Sequence, residues 1–132
     1  MIVIDASALV ELLVSGTPRA ARLAARINSR TQTLHAPHLI DLEVASVLRS
    51  LEARKLVTPA VATRAIVDLL ALDLTRYAHD TLVPRAWQLR GHLSASDAAY
   101  VALAESLTAP LITCDRRLGA APGHGATIEV FA

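Results

Sequence analysis

The stretch SASDAAYVALAESLTAPLITCD, residues 94–115, sets two elements back to back. Ser94 with Asp97 three residues on is a capping-box pattern, and the helix formers behind it carry the apolar spacing of an α-helix. PLITC then reads as a short buried strand, and that strand ends on a carboxylate, Asp115. The amino terminus has the same design. MIVID (1–5) is a β-prone apolar run ending on Asp5, and ASALVELLV follows at once as a helix.

Between these two blocks the alternation continues. TPRAARLAARIN has Thr17 as N-cap and Pro18 at the first helical position, and TLHAP is a short strand. HLIDLEVASVLRSLEARKLV is the longest helical pattern, and TPAVATRAIVDLLAL restarts at Thr58 and Pro59, so the two are expected to pack as a hairpin. A weaker strand around DLTRY precedes a helix across TLVPRAWQLRGH, where Pro84 blurs the start. After Asp115 the chain reads as a Gly/Pro-rich loop and a last strand, TIEVF. Strands alternating with helices predict an α/β fold, a three-layer α/β/α sandwich with a central, mainly parallel sheet, in one domain spanning residues 1–132.

Composition narrows the class. With 53% hydrophobic and 19% charged residues in 132, composition argues against disorder and a real core is expected. No stretch approaches the roughly 18 consecutive apolar residues of a membrane span. The first residues also lack the basic region of a secretory signal, so a cytoplasmic protein with no membrane partner is expected. The single cysteine, Cys114, permits neither an internal disulfide nor a Cys-based metal cluster. Twelve of the thirteen basic residues are Arg, which fits phosphate recognition and fits a GC-rich genome equally well.

In a parallel sheet, ligands collect at the carboxyl ends of the strands, where Asp5 and Asp115 both sit. Each could instead be a helix N-cap. Glu43 shares a helical stripe with Leu39 and Ser46, an unusual place for an acid, although a solvated edge position would also accommodate it. Asp97 is open to a capping role through Ser94. Asp41 falls on a different face from Glu43 and reads as surface.

Taken together, IVIDASALVELL, LIDLEVASVLR and SASDAAYVALAESLTAPLITCDRRL resemble the successive motifs of PIN-domain ribonucleases, specifically the VapC-type toxins of bacterial toxin–antitoxin pairs. The resemblance runs from Met1 to about Leu118. It implies a metal-dependent endoribonuclease whose acidic cluster is Asp5, Glu43, Asp97 and Asp115, with Ser7 and Thr113 as hydroxyl helpers. It further implies a homodimer silenced by a small VapB-like antitoxin whose tail crosses the active-site groove. One departure is visible: where the family often has Asn three residues after the helical glutamate, this chain has Ser46.

The chemistry of such a cluster is demanding. Two carboxylates about 5 Å apart repel by roughly 3 kcal/mol at an effective dielectric near 20. A cation must neutralise them, or some must stay protonated. All-oxygen ligands select a hard ion, Mg²⁺ or Mn²⁺, which retains waters and leaves room for phosphate oxygens.

Other residues weigh less. His35, His38, His79, His92 and His124 lack zinc-site spacing and read as surface or loop residues. Arg19, Arg22, Arg26 and Arg30 form a helical stripe open to RNA phosphates or simply to solvent. Arg116 and Arg117, which follow Asp115 directly, are better placed to hold a scissile phosphate or the acid, with Arg116 the residue singled out. Trp87, Tyr77, Tyr100 and Phe131 are too scattered for a base-stacking platform. A haloacid-dehalogenase-type phosphatase would need a second acid two residues after Asp5, where Ser7 stands. The remaining rival is a non-catalytic α/β binding module in which the acids serve only as caps.

Overall fold

A computed structural model describes residues 1–28 and 31–132. Its described residues form a single sheet of β1 (Ile2–Ile4), β2 (Leu34–Pro37), β3 (Leu74–Tyr77), β4 (Leu111–Thr113) and β5 (Ile128–Val130). The order is β3-β2-β1-β4-β5, and every neighbouring pair is parallel. β1 occupies the centre with Val3 in register with His35 on one side and Leu111 on the other. Ile2, Val3 and Ile4 are fully buried, as a strand covered on both faces requires.

The intervening helices are α1 (Ala6–Val14), α2 (Pro18–Ile27), α3 (Ile40–Ala53), α4 (Pro59–Ala71), α5 (Val83–Gln88), α6 (Ala95–Leu107) and α7 (Arg116–Ala120). α1 packs on β4 and gathers α2, α3 and α4, while α6 lies against β1, β2 and β4 with α5 beside it. The α/β sandwich and the α3–α4 hairpin are therefore as expected. Among the described residues no helix is long and apolar enough to cross a membrane.

The helix ends follow local chemistry. Thr17 and Thr58 each accept a backbone N–H, from Ala20 and Val61, ahead of a proline in the first turn. At the end of α6, Thr108 takes a left-handed conformation and the Ala109 N–H reaches the Ala104 carbonyl. Pro110 then prevents continuation and the chain enters β4. α3 is shorter than its apolar pattern: Lys55 turns left-handed at φ 59°, and the Leu56 N–H closes on the Leu51 carbonyl. The residues after Asp115 are not all loop, because Asp115 caps the short helix α7.

Two further sequence readings change. His35 is not a surface residue: it is buried in β2, between the Thr33 hydroxyl at Nε2 and the Tyr77 hydroxyl at Nδ1, each 2.7 Å away. Asp41 is not a solvated acid either. It takes a two-pronged contact from Arg76 of β3, with Nε to Oδ2 and Nη2 to Oδ1 both 2.8 Å. Sequence spacing cannot reveal the His35–Tyr77 and Asp41–Arg76 pairs, whose members are 42 and 35 residues apart.

Candidate active site

Parallel strands deliver their carboxyl ends to one edge of the sheet, and Asp5 is the first residue past β1 there. Its side chain caps α1, with Oδ1 accepting the Ala8 N–H at 3.0 Å. The same Oδ1 accepts the Ser7 hydroxyl at 2.7 Å, and Oδ2 accepts the hydroxyl of Thr113 from the adjacent strand β4. Each hydroxyl has a single proton, and both are spent on Asp5. The Ser7 and Thr113 oxygens accept backbone N–H groups in turn, from Cys114 and Asp115, both at 2.9 Å. Both hydroxyls named from the sequence, Ser7 and Thr113, therefore meet Asp5, which caps α1 with the same carboxylate.

This carboxylate is only 7% exposed. Burial pushes its pKa up, the three donors pull it back, and the charge of Asp97 pushes it up again. Glu43, in the first turn of α3 and half-buried, behaves similarly. Burial raises its pKa, a hydrogen bond from Tyr100 opposes this, and the charges of Asp97 and Asp5 add to the rise. Tyr100 Oη donates to Glu43 Oε1 at 2.7 Å, and burial together with that acid drives the phenol's own pKa far upward. Sequence reasoning missed this tyrosine. The available signal was its place one turn after Asp97, on the same face of α6. The Ser46 side chain is exposed and makes no hydrogen bond among the described residues, so the support for Glu43 comes from Tyr100 instead.

Asp97 is capped in the expected sense only through its backbone: its N–H donates to Ser94 Oγ at 3.2 Å. Among the described residues its carboxylate has no hydrogen-bond donor, and its charge is felt by Asp5, Glu43 and Tyr100. Asp115 is less integrated. Its Oδ1 caps α7 through the Arg117 N–H at 2.9 Å, and its link to Asp5 runs through its own N–H and the Thr113 hydroxyl. Arg116 and Arg117 are both exposed at the start of α7, and it is the Arg117 guanidinium that approaches this acid, 3.5 Å from Oδ2.

The four acids expected to cluster are therefore three in a shared field and one at the neighbouring strand end. Among the described residues no three His, Cys, Asp or Glu side chains already converge as a ligand set for an ion. Asp5, Glu43 and Asp115 each have an oxygen committed to a protein donor. The donor chemistry nonetheless fits Mg²⁺ or Mn²⁺. Such an ion is ordinarily held by one or two carboxylates and several waters, not by a complete protein cage.

The surroundings add a groove and remove a stripe. A cleft of about 330 Å³ runs between α5 and α6 beside Asp97, lined by Leu39, His79, Leu82, Trp87, Arg90 and Ser96. Trp87 is 65% exposed there, with the Arg90 guanidinium 4.4 Å from its ring centroid. His79 is an exposed loop residue, as expected, and its Nε2 accepts the Leu39 N–H in place of an α3 side-chain cap. On α2, Arg19 pairs with Glu11, Arg26 with Glu129, and Arg22 donates to the Ala132 carbonyl, so these three arginines are engaged within the chain. Arg30 lies outside the described residues. A larger cleft, about 530 Å³, opens at the opposite edge of the sheet by Pro110 and Thr127, and the arginine and acids beside it, Arg26, Glu129 and Glu105, are already paired.

Comparison with known proteins bears on the family and the fold. The family model for the PIN domain matches residues 2–123. The chain is 44% identical to ribonuclease VapC12 of Mycobacterium tuberculosis over 132 residues, covering all of both. It is 46% identical to VapC ribonuclease Mb0985 of Mycobacterium bovis over 119 residues, 89% of this chain and 88% of that one. A solved structure of VapBC2 from Rickettsia felis, bound to a DNA fragment from its promoter, aligns over 100% of both chains with a TM-score of 0.70 at 11% identity, a likeness of fold.

Proposed function

Because the chain belongs to the PIN-domain family and to its VapC branch, we propose that it is an endoribonuclease toxin whose phosphodiester hydrolysis depends on Mg²⁺ or Mn²⁺. The observation that carries this reading is the environment of Asp5. A buried carboxylate at the carboxyl end of the central strand, held by two hydroxyls and a backbone N–H within the fields of Asp97 and Glu43, has far more support than a cap needs.

In this reading Asp5, Glu43 and Asp97 hold the ion, with Asp115 recruited from the adjacent strand end. When bound, the ion supplies Lewis-acid stabilisation of charge on the phosphate and a lower pKa for water. The chain's own residues do the rest. Ser7 and Thr113 keep Asp5 oriented and ionised through their two donated protons. Asp97, whose carboxylate is unengaged among the described residues, is the acid available to orient the attacking water and accept its proton. Water adds to phosphorus as the bond to the 3′ oxygen breaks, leaving a 5′-phosphate and a 3′-hydroxyl. Arg116, exposed beside Asp115, is suited to the RNA backbone.

The partners follow from the same membership. A VapB-like antitoxin, with an apolar tail lying in the Trp87 cleft and a basic side chain meeting the acids, would silence the enzyme in the cytoplasm. Two copies are expected to form the working unit, to be checked by light scattering against twice the chain mass. The decisive experiment is cleavage of a mixed RNA pool. Mg²⁺ or Mn²⁺ is expected to support it, Ca²⁺ to support it poorly because its looser coordination misplaces the water, and Asp5→Asn to abolish it. Undiminished cleavage in excess chelator would overturn the metal-dependent reading.

A further inference from the structure

Tyr100 is 1% exposed and its ring belongs to the central core, where phenylalanine would serve as well unless the hydroxyl has work to do. Its hydroxyl donates to Glu43 Oε1 at 2.7 Å, across from α6 to α3. Among the described residues this is the one hydrogen bond made to the Glu43 side chain, so beyond its own rotamer preferences nothing else orients that carboxylate. Glu43 also stands within the fields of Asp5 and Asp97, two like charges that would drive a loose side chain outward to solvent. Tyr100 is one turn from Asp97 on the same helix, which sets the reach of the phenol and the position of that acid together.

We propose that Tyr100 is a positioning residue for the ion site: its hydroxyl occupies Glu43 Oε1, holds the carboxylate toward Asp5 and Asp97, and leaves Oε2 as the oxygen available to the ion. The inference rests on the divalent-ion reading above and extends it to a group outside the acidic set. Partners that orient a ligating carboxylate in this way commonly change metal affinity by roughly 10–100-fold when removed.

The test is a double-mutant cycle on the full chain with Mn²⁺ as probe, using Tyr100→Phe, Glu43→Gln and the pair, read by titration calorimetry and by cleavage kinetics across Mn²⁺ concentrations. Tyr100→Phe keeps the ring and its packing. It is expected to weaken Mn²⁺ binding about tenfold and to lower kcat at limiting Mn²⁺. Excess Mn²⁺ should restore the rate, and KM for RNA should stay as in the wild type. In the Glu43→Gln background the same change should alter Mn²⁺ affinity by less than about twofold, since the coupled partner is gone. If Glu43→Gln loses affinity while Tyr100→Phe binds Mn²⁺ like the wild type, with only its melting temperature lowered, the hydroxyl is structural and the inference fails alone. If Glu43→Gln itself binds Mn²⁺ normally, Glu43 is not a ligand, and the role given to Tyr100 falls together with that part of the ion reading.

Discussion

At Asp97 two roles are separable by charge alone. Ser94 caps the helix by accepting the Asp97 backbone N–H, which any side chain at that position leaves intact. Asp97→Asn is therefore expected to cost at most about 1 kcal/mol as a cap change. If the carboxylate belongs to a repelling set, its removal should instead stabilise the protein in chelator, by about 1–2 kcal/mol at an effective dielectric near 20. With saturating Mn²⁺ the wild type gains binding free energy the variant has lost, so the gap should close or reverse, and cleavage should vanish. Paired thermal melts in chelator and in Mn²⁺ decide it; equal shifts in both with cleavage retained would return Asp97 to a surface role. His35 gives a residue-scale prediction of a different kind. Burial first, and the amino-terminal charge second, hold its pKa below the ordinary 6.5. The unfolded chain then binds the proton more readily than the folded one, so stability is fully present above about pH 6.5 and declines as pH falls toward the folded pKa. Denaturant midpoints measured between pH 7.5 and 5.5 should show this decline in the wild type and a shallower one in His35→Gln.

At the scale of elements, α3 is the piece whose placement matters most, because it carries Glu43 and has no side-chain cap of its own. It is secured from outside. His79 accepts the Leu39 N–H at its start, Asp41 in its first turn takes the Arg76 fork from β3, and Tyr100 reaches Glu43 from α6. Arg76 also donates to the Leu74 and Leu69 carbonyls, so a single guanidinium ties β3, α3 and the end of α4. Arg76→Lys keeps the charge but cannot reproduce the fork. A loss of about 1–2 kcal/mol is expected for this partly buried pair. Urea denaturation measures it, and a change within about 0.5 kcal/mol, the range of ordinary surface substitutions, would mean the pair is merely a surface contact.

For the whole molecule, an ion at the acids of one sheet edge and an antitoxin tail in the apolar cleft beside them, both as proposed, are expected to compete for the same place. A basic side chain entering the acidic field would replace the neutralising role of the ion, so saturating antitoxin should weaken Mn²⁺ binding; inhibition with Mn²⁺ affinity unchanged would count against that mode of silencing. How much of this could be read in advance depended on the range of the interactions involved. Local patterns determined the strands, the capped helices and the two acids that end β1 and β4, because periodicity, capping and strand termination all act within a few residues. They also carried the motifs by which the acids were found. The Tyr100–Glu43 bond, the buried His35 between Thr33 and Tyr77, the Asp41–Arg76 pair and the identity of the arginine that meets Asp115 were decided only by tertiary structure. Most of these join residues far apart in the chain, and all depend on how the elements and short turns at one sheet edge aim their side chains. So does the arrangement of the site as three acids with a fourth beside them. Short-range rules place carboxylates at strand ends, but which acids share a field depends on how distant elements pack, as α6 brings Asp97 and Tyr100 up to Glu43 of α3.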